Sequence, residues 1–191
     1  MKTLREITDY DTLGSHYDYS IPQKNHLYNF KMSSYSVNSY HWDRHNGETV
    51  HDPDEEEKTK HLDAAIHGNK TPEPLTVYSG IGYDPRKRMN KDGVVHHPAY
   101  LSTSLEKESA KTFAAKNSTI DYGNKTIHRH ILQINVPQGH PSALVPHNTF
   151  EKELVLPRGM NLRHKKTDTN ETTSPYGEKL IHYTHHMEIV K

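Results

Sequence analysis

The chain has 191 residues, 31% of them hydrophobic, with a mean hydropathy of −0.98, so its core must be lean and gathered into a few strands. Lys+Arg and Asp+Glu each number 24, a balance that supplies no basic footprint for nucleic acid and no polybasic surface for a membrane. Cysteine is absent, which removes disulfides, thiolate nucleophiles and cysteine-ligated zinc.

The length fits one domain, residues 1–191. The start, Met1 to Glu6, has no apolar leader, and no 18-residue apolar run occurs. The expectation is a protein of a reducing cytoplasm without a membrane partner. Seventeen histidines raise a metal question, with pairs at His96-His97 and His185-His186 and alternation at His128 and His130. A zinc site needs three or four converging ligands. No His-Glu-x-x-His occurs and the histidines are spread along the chain, so surface and loop imidazoles are expected and no metal is.

Two halves differ in grammar. Residues 1–72 are polar, with apolar residues spaced for short helices. Lys31 to Trp42 carries a loose helical pattern. Asp52-Pro53-Asp54-Glu55-Glu56 predicts a helix start, with a capping Asp, Pro in the first turn and acids at the positive end of the dipole. That helix runs to a stop at Gly68-Asn69. Residues 73–191 are strand-like. Leu75 to Tyr78 is a short strand, and Gly82 to Gly93 a basic loop. A second strand spans Ala99 to Ser104, followed by a helix over Leu105 to Lys116. Asn117 to Lys125 is turn-rich. Thr126 to Val136 is a long strand with room for a bulge, Leu154 to Leu156 and Met160 to His164 a strand pair, and Leu180 to Val190 a final strand. Strands with little intervening helix indicate α+β.

Glu151-Lys152-Glu153 leads into the apolar run Leu154-Val155-Leu156. In a strand, residues i and i+2 share a face, which would aim both carboxylates at one substrate. Two close acids can then take unequal roles. By itself such spacing is common at solvated strand edges.

The order of pieces carries more. Leu75-Thr76-Val77-Tyr78-Ser79-Gly80, then Tyr100-Leu101-Ser102-Thr103-Ser104, then Ile131 to Pro137, then Phe150 to Pro157 together resemble the mono-ADP-ribosyltransferases of the Arg-Ser-Glu class, which includes clostridial-type toxins and bacteriophage enzymes. The resemblance covers residues 32 to 165. It implies a split β-sandwich of two antiparallel sheets, a helical lobe over residues 1–72 and an NAD-binding core over 73–191. It also implies transfer of ADP-ribose from NAD, as substrate, to a protein side chain, arginine first, with nucleic acid left open as acceptor.

Residue by residue, Glu153 resembles the catalytic glutamate, which stabilises the oxocarbenium-like ribose as nicotinamide leaves. Glu151 resembles the residue that engages the acceptor, and Ser102 the serine that orients the catalytic glutamate. Tyr78, Ser79, Gly80, Thr103 and Ser104 resemble strand positions around the nicotinamide. Phe113 falls where related toxins place an aromatic ring, and Lys116 where a basic residue meets phosphate. The chain departs from the family at Ser79, where an arginine ordinarily grips the NAD diphosphate. Serine offers one neutral hydrogen bond in place of a charged fork. Arg86 or Arg88 is the candidate to supply the missing charge. A non-catalytic binding module and an NAD glycohydrolase are the alternatives.

Overall fold

The computed structural model describes residues 10–146 and 150–190; the Met1–Glu6 start lies outside the described residues. Four helices come first: α1 (Tyr10–Gly14), α2 (Ile21–Met32), α3 (Tyr35–His45) and α4 (Pro53–His67). Helix α2 begins at a capping box in which the Ser20 side chain and Gln23 satisfy each other's backbone, with proline in the first turn. The expected helix over Lys31 to Trp42 is therefore two helices. Lys31 and Met32 end α2, and Ser33 breaks the run with an extended φ of −157°. Helix α4 starts as its sequence dictates, with the Asp52 carboxylate accepting from the backbone N–H groups of Asp54 and Glu55.

The strands follow. They are β1 (Leu75–Ile81), then, after a 3-10 turn at Pro85–Arg88, β2 (Val94–His97) and β3 (Leu101–Ser104). Helix α5 (Lys107–Lys116) precedes β4 (Thr119–Asp121), β5 (Thr126–Val136), β6 (Ala143–Leu144), β7 (Glu153–Leu156), β8 (Met160–Thr173) and β9 (Lys179–Val190). The hydrogen-bonded order is β2-β8-β9-β5-β1-β3-β7-β6, with β4 beside β5. The α+β class stands, but the expected pair of antiparallel sheets needs two corrections. β5 and β9 are parallel, from Thr126↔Lys179 to Asn135↔Glu188. The two parts of the sheet also meet: β1 and β3 share the single register pair Tyr78↔Ser104, against a full ladder between β1 and β5.

β8 extends far past the His164 expected from its apolar residues. Its outer half is almost wholly exposed and is held by backbone pairing to β9 as far as Thr173↔Lys179. The bulge lies here, between His164 and Lys166, not in β5. β4 is a short strand inside the stretch expected to be turns.

Two clusters hold the layers together. One joins α1 to the sheet through Tyr10, Leu13, Val77, Leu132, Ile134 and Leu162. The other seats the helices on the β3-β7-β6 part, with Leu27, Phe30, Leu62 and Ile66 against Tyr100 and Val155. Each such large apolar side chain taken out of water contributes about 1.5–3 kcal/mol, so a few of them suffice to dock a polar lobe. Among the described residues no helix is long and apolar enough to cross a membrane.

Candidate active site

A cleft of about 510 Å³ opens where β1 and β3 part. Continued pairing beyond Tyr78↔Ser104 would set Ser79 against Thr103 and Gly80 against Ser102, but the ladder stops after one pair. The strand edges left facing each other are the cleft's walls: Tyr78 to Ile81 on one side and Leu101 to Ser104 on the other. A volume of this size is in the range of small-molecule sites.

Glu153 opens β7 and is directly opposite Ser104. Its side chain reaches one step along the ladder, where Ser102 Oγ donates to Glu153 Oε1 at 2.6 Å. Diagonal neighbours on one face of an antiparallel pair are within reach of a long side chain. Glu153 is buried, and a hydrogen bond to a buried carboxylate fixes its rotamer as well as lowering its energy.

Glu151 also faces the cleft, though not by strand alternation as expected. β7 begins only at Glu153, and Lys152 adopts a left-handed φ of +44°, so Glu151 sits in a turn. That turn is tied down from three directions. Ser104 Oγ donates to the Glu151 carbonyl at 2.6 Å, the Leu105 N–H donates to the Lys152 carbonyl at 3.1 Å, and Lys152 Nζ pairs with Glu106 at 2.6 Å. Ser104 thus spends its hydroxyl on the turn and on the Glu106 N–H, while the Thr103 hydroxyl is bonded to the Leu154 carbonyl. Both residues line the cleft, yet their hydroxyls shape its walls.

Gly80 sets the opposite wall. A Cβ there would lie 2.3 Å from the Ala110 carbonyl oxygen and 2.4 Å from the Ala114 nitrogen, closer than atoms pack, so only glycine lets α5 lie this near β1. The consequence is that Phe113 and Lys116, on the same helix, both border the cleft, with the Lys116 ammonium 5.4 Å from the centre of the Phe113 ring. Ser79 is buried and borders the cleft as well.

Arg86 is elsewhere. Its guanidinium forks onto Asp84, with Nη2 2.7 Å from Oδ2, and stacks over Tyr183; it is not among the cleft residues. The expectation that Arg86 binds the cofactor is corrected on this geometry, because a guanidinium held in a bidentate pair is not free to reach back to Ser79. Arg88 is not a cleft-lining residue either, but it stacks over Tyr83 at 4.0 Å and over Trp42 at 4.9 Å, and Trp42 does border the cleft.

The sequence reading missed the helical side of the site. Asn38, Trp42 and the end of α2 at Lys31 and Met32 border the cleft, and the Asn38 side chain accepts from the Tyr100 N–H at 3.1 Å. Tyr100 OH donates to Asp63 at 2.7 Å, and Arg158 clamps the same carboxylate. A chain of polar contacts from α4 through Tyr100 to α3 therefore holds the lobe against the strand that carries Ser102. Such partners are far apart in sequence, and no local signal announces them.

The family model for the ADP-ribosyltransferase exoenzymes matches residues 6–186. No curated protein matches the chain. Among solved structures, Plx2a, an ADP-ribosyltransferase toxin from Paenibacillus larvae, superposes with a TM-score of 0.66 at 17% identity, over 95% of this chain and 91% of that one. C3stau2 from S. aureus, solved with NAD, gives 0.62 at 18% over 97% and 96%. The Clostridium limosum C3 exoenzyme gives 0.66 at 17% over 100% and 98%. At such identities the likeness establishes the fold; the family match establishes kinship.

Proposed function

The chain belongs to the ADP-ribosyltransferase exoenzyme family, whose chemistry is mono-ADP-ribosyl transfer from NAD, and from that premise we propose that its acceptor is an arginine side chain of a target protein. The observation that carries this reading is the Ser102–Glu153 hydrogen bond inside a cleft that Glu151 also faces.

In the proposed reaction the bond between ribose and nicotinamide breaks first, its electron pair leaving with the nicotinamide. Positive charge grows on the ribose, and the fixed Glu153 carboxylate stabilises it where little water competes. Phe113 lies against the nicotinamide side and Lys116 against phosphate. Arg88, stacked at Trp42, supplies the cation that Ser79 cannot. The acceptor nitrogen then attacks the anomeric carbon from the opposite face. Glu151 pairs with the guanidinium and favours loss of its proton, a role a carboxylate fills through paired, charge-assisted bonds. The reading takes residues 1–191 as one functional unit acting in the cytoplasm of a host or target cell, in keeping with the cysteine-free sequence.

The test is mass spectrometry of a cell lysate incubated with NAD and either the wild type or Glu153→Ala. Wild type should add the ADP-ribose mass to arginine in at least one protein, and the variant should not. Nicotinamide release without a modified protein would mark a glycohydrolase. Neither release nor transfer at millimolar NAD would leave a binding module with this fold.

A further inference from the structure

We propose that Asp84, His130 and His185 form a binding site for a divalent metal ion, zinc by its chemistry, separate from the cleft. One donor atom from each residue lies within 4.8 Å of the others. None of the three borders the cleft, and the site does not depend on the transferase reading.

The three residues come from distant segments: Asp84 from the turn after β1, His130 from β5 and His185 from β9. The parallel pairing of β5 with β9 aligns the last two, His130 opposite Tyr183 and Leu132 opposite His185. His130 Nδ1 and His185 Nε2 face each other at 3.1 Å. Two nitrogens bound to one tetrahedral zinc at the usual bond length are separated by roughly 3.3 Å, so little movement is needed to admit the ion between them. His185 is wholly buried and His130 nearly so.

The surroundings orient the ligands. The Nδ1 of His185 is 2.9 Å from Thr167 Oγ1, which is also 2.8 Å from His164 Nε2. A hydrogen bond on the far nitrogen of an imidazole is what fixes which nitrogen faces a metal. Asp84 is held by Arg86 through its backbone N–H and guanidinium. Arg86 Nε also contacts Oδ1 at 2.9 Å and Oδ2 at 3.2 Å. Arg86 thus makes four contacts with a carboxylate that accepts about four, and the ion binds by displacing the longest of them, at Oδ2. Two imidazoles and one carboxylate favour zinc over magnesium or calcium, which take oxygen ligands.

The site would pin the Pro85–Arg88 turn, which starts at Asp84, to the central strands. Arg88 at the end of that turn stacks on Trp42, so the ion would steady one wall of the cleft from behind without taking part in any reaction.

The experiment uses the full, untagged chain stripped with chelator. Zinc content after dialysis, affinity against a competing chromophoric chelator, and melting temperature with zinc or magnesium are measured for wild type, Asp84→Ala and His130→Gln. The expected result is one zinc per chain in the wild type and a melting temperature raised by zinc but not magnesium. Affinity should fall tenfold or more in each variant. Asp84 is only partly buried, so Asp84→Ala remains decisive if His130→Gln does not fold. No zinc-dependent rise in the wild type, or wild-type affinity in either folded variant, overturns the site and leaves a hydrogen-bonded histidine pair.

Discussion

Ser102 and Glu153 lie on neighbouring strands and meet diagonally, Oγ to Oε1, at 2.6 Å. The contact exists because β3 and β7 pair along their full length, from Leu101↔Leu156 to Ser104↔Glu153, while β3 and β1 do not. One side of β3 thus holds the carboxylate rigidly, and the other side opens to substrate.

Removing the Ser102 hydroxyl loses a charge-assisted hydrogen bond worth about 1.5–3 kcal/mol, so Ser102→Ala should slow nicotinamide release roughly tenfold to a hundredfold. Glu153→Gln keeps the shape and removes the charge, and should cost about 10²–10³ or more. Ser102→Ala should melt several degrees lower, because the bond is already present in the folded protein, and Glu153→Gln, which keeps the shape, should melt nearer the wild type. A steady-state nicotinamide assay with a thermal melt separates these outcomes from unfolding.

Glu151 is predicted to act on the acceptor and not on NAD. Glu151→Ala should therefore cut protein modification at least tenfold more than it cuts nicotinamide release. Equal losses in the two assays would show instead that the turn at Lys152, tied to Ser104 and Glu106, had moved Glu153 as well.

Gly80→Ala tests how α5 is placed. The new methyl group meets backbone atoms of α5 at 2.3–2.4 Å, and overpacking of this kind costs roughly 1–3 kcal/mol or more. The melting temperature should drop, and NAD binding should weaken because Phe113 and Lys116 travel with the helix. Calorimetric titration of NAD measures the second effect.

The two arginines after β1 should separate cleanly. Arg88→Ala is expected to raise the KM for NAD about tenfold with little change in stability, as its guanidinium stacks at Trp42. Arg86→Ala should leave KM nearly unchanged and lower stability, since it frees Asp84, a carboxylate that burial would raise but that the Arg86 hydrogen bonds and charge hold at about 2.

Stability should fall as pH drops through the weakly acidic range. Burial pushes His97 down to about 4; burial, reinforced by the Arg158 charge, does the same to His41. Unfolded histidine titrates near 6.5. Between about pH 6.5 and 4 the unfolded chain takes up protons that the folded one refuses, so each group removes up to about 1.4 kcal/mol of stability per unit of pH. Urea midpoints measured across that window should slope accordingly. His97→Gln should flatten the slope in part and leave the shares of His41 and of the buried His130 and His185, which burial likewise pushes down.

Much was legible in sequence. β5 was read at its true bounds, and the Asp52 cap and the Glu-x-Glu segment stood in local order, because periodicity, capping and turn chemistry act over a few residues. The Lys31–Trp42 helix was misread because Ser33 breaks it without proline or glycine, and the outer half of β8 because pairing to β9 builds it without an apolar pattern.

Sequence by itself determined which side chains were available: two glutamates beside a strand, a Ser-Thr-Ser, an Arg-poor first strand at Ser79, and scattered histidines. Tertiary structure decided what those groups face. The early end of the β1–β3 ladder made the cleft, the left-handed Lys152 turned Glu151 into it, and the Asp84 pair drew Arg86 away while Arg88 stacked at Trp42. The parallel alignment of β5 and β9 brought His130 to His185. The pairing of β1 with β3 and of β5 with β9, and the stacking of Arg88 on Trp42, join residues tens of positions apart, and no local preference encodes such partners. The Asp84–Arg86 pair and the Lys152 turn are local, and only the packed fold gives them a direction relative to the cleft.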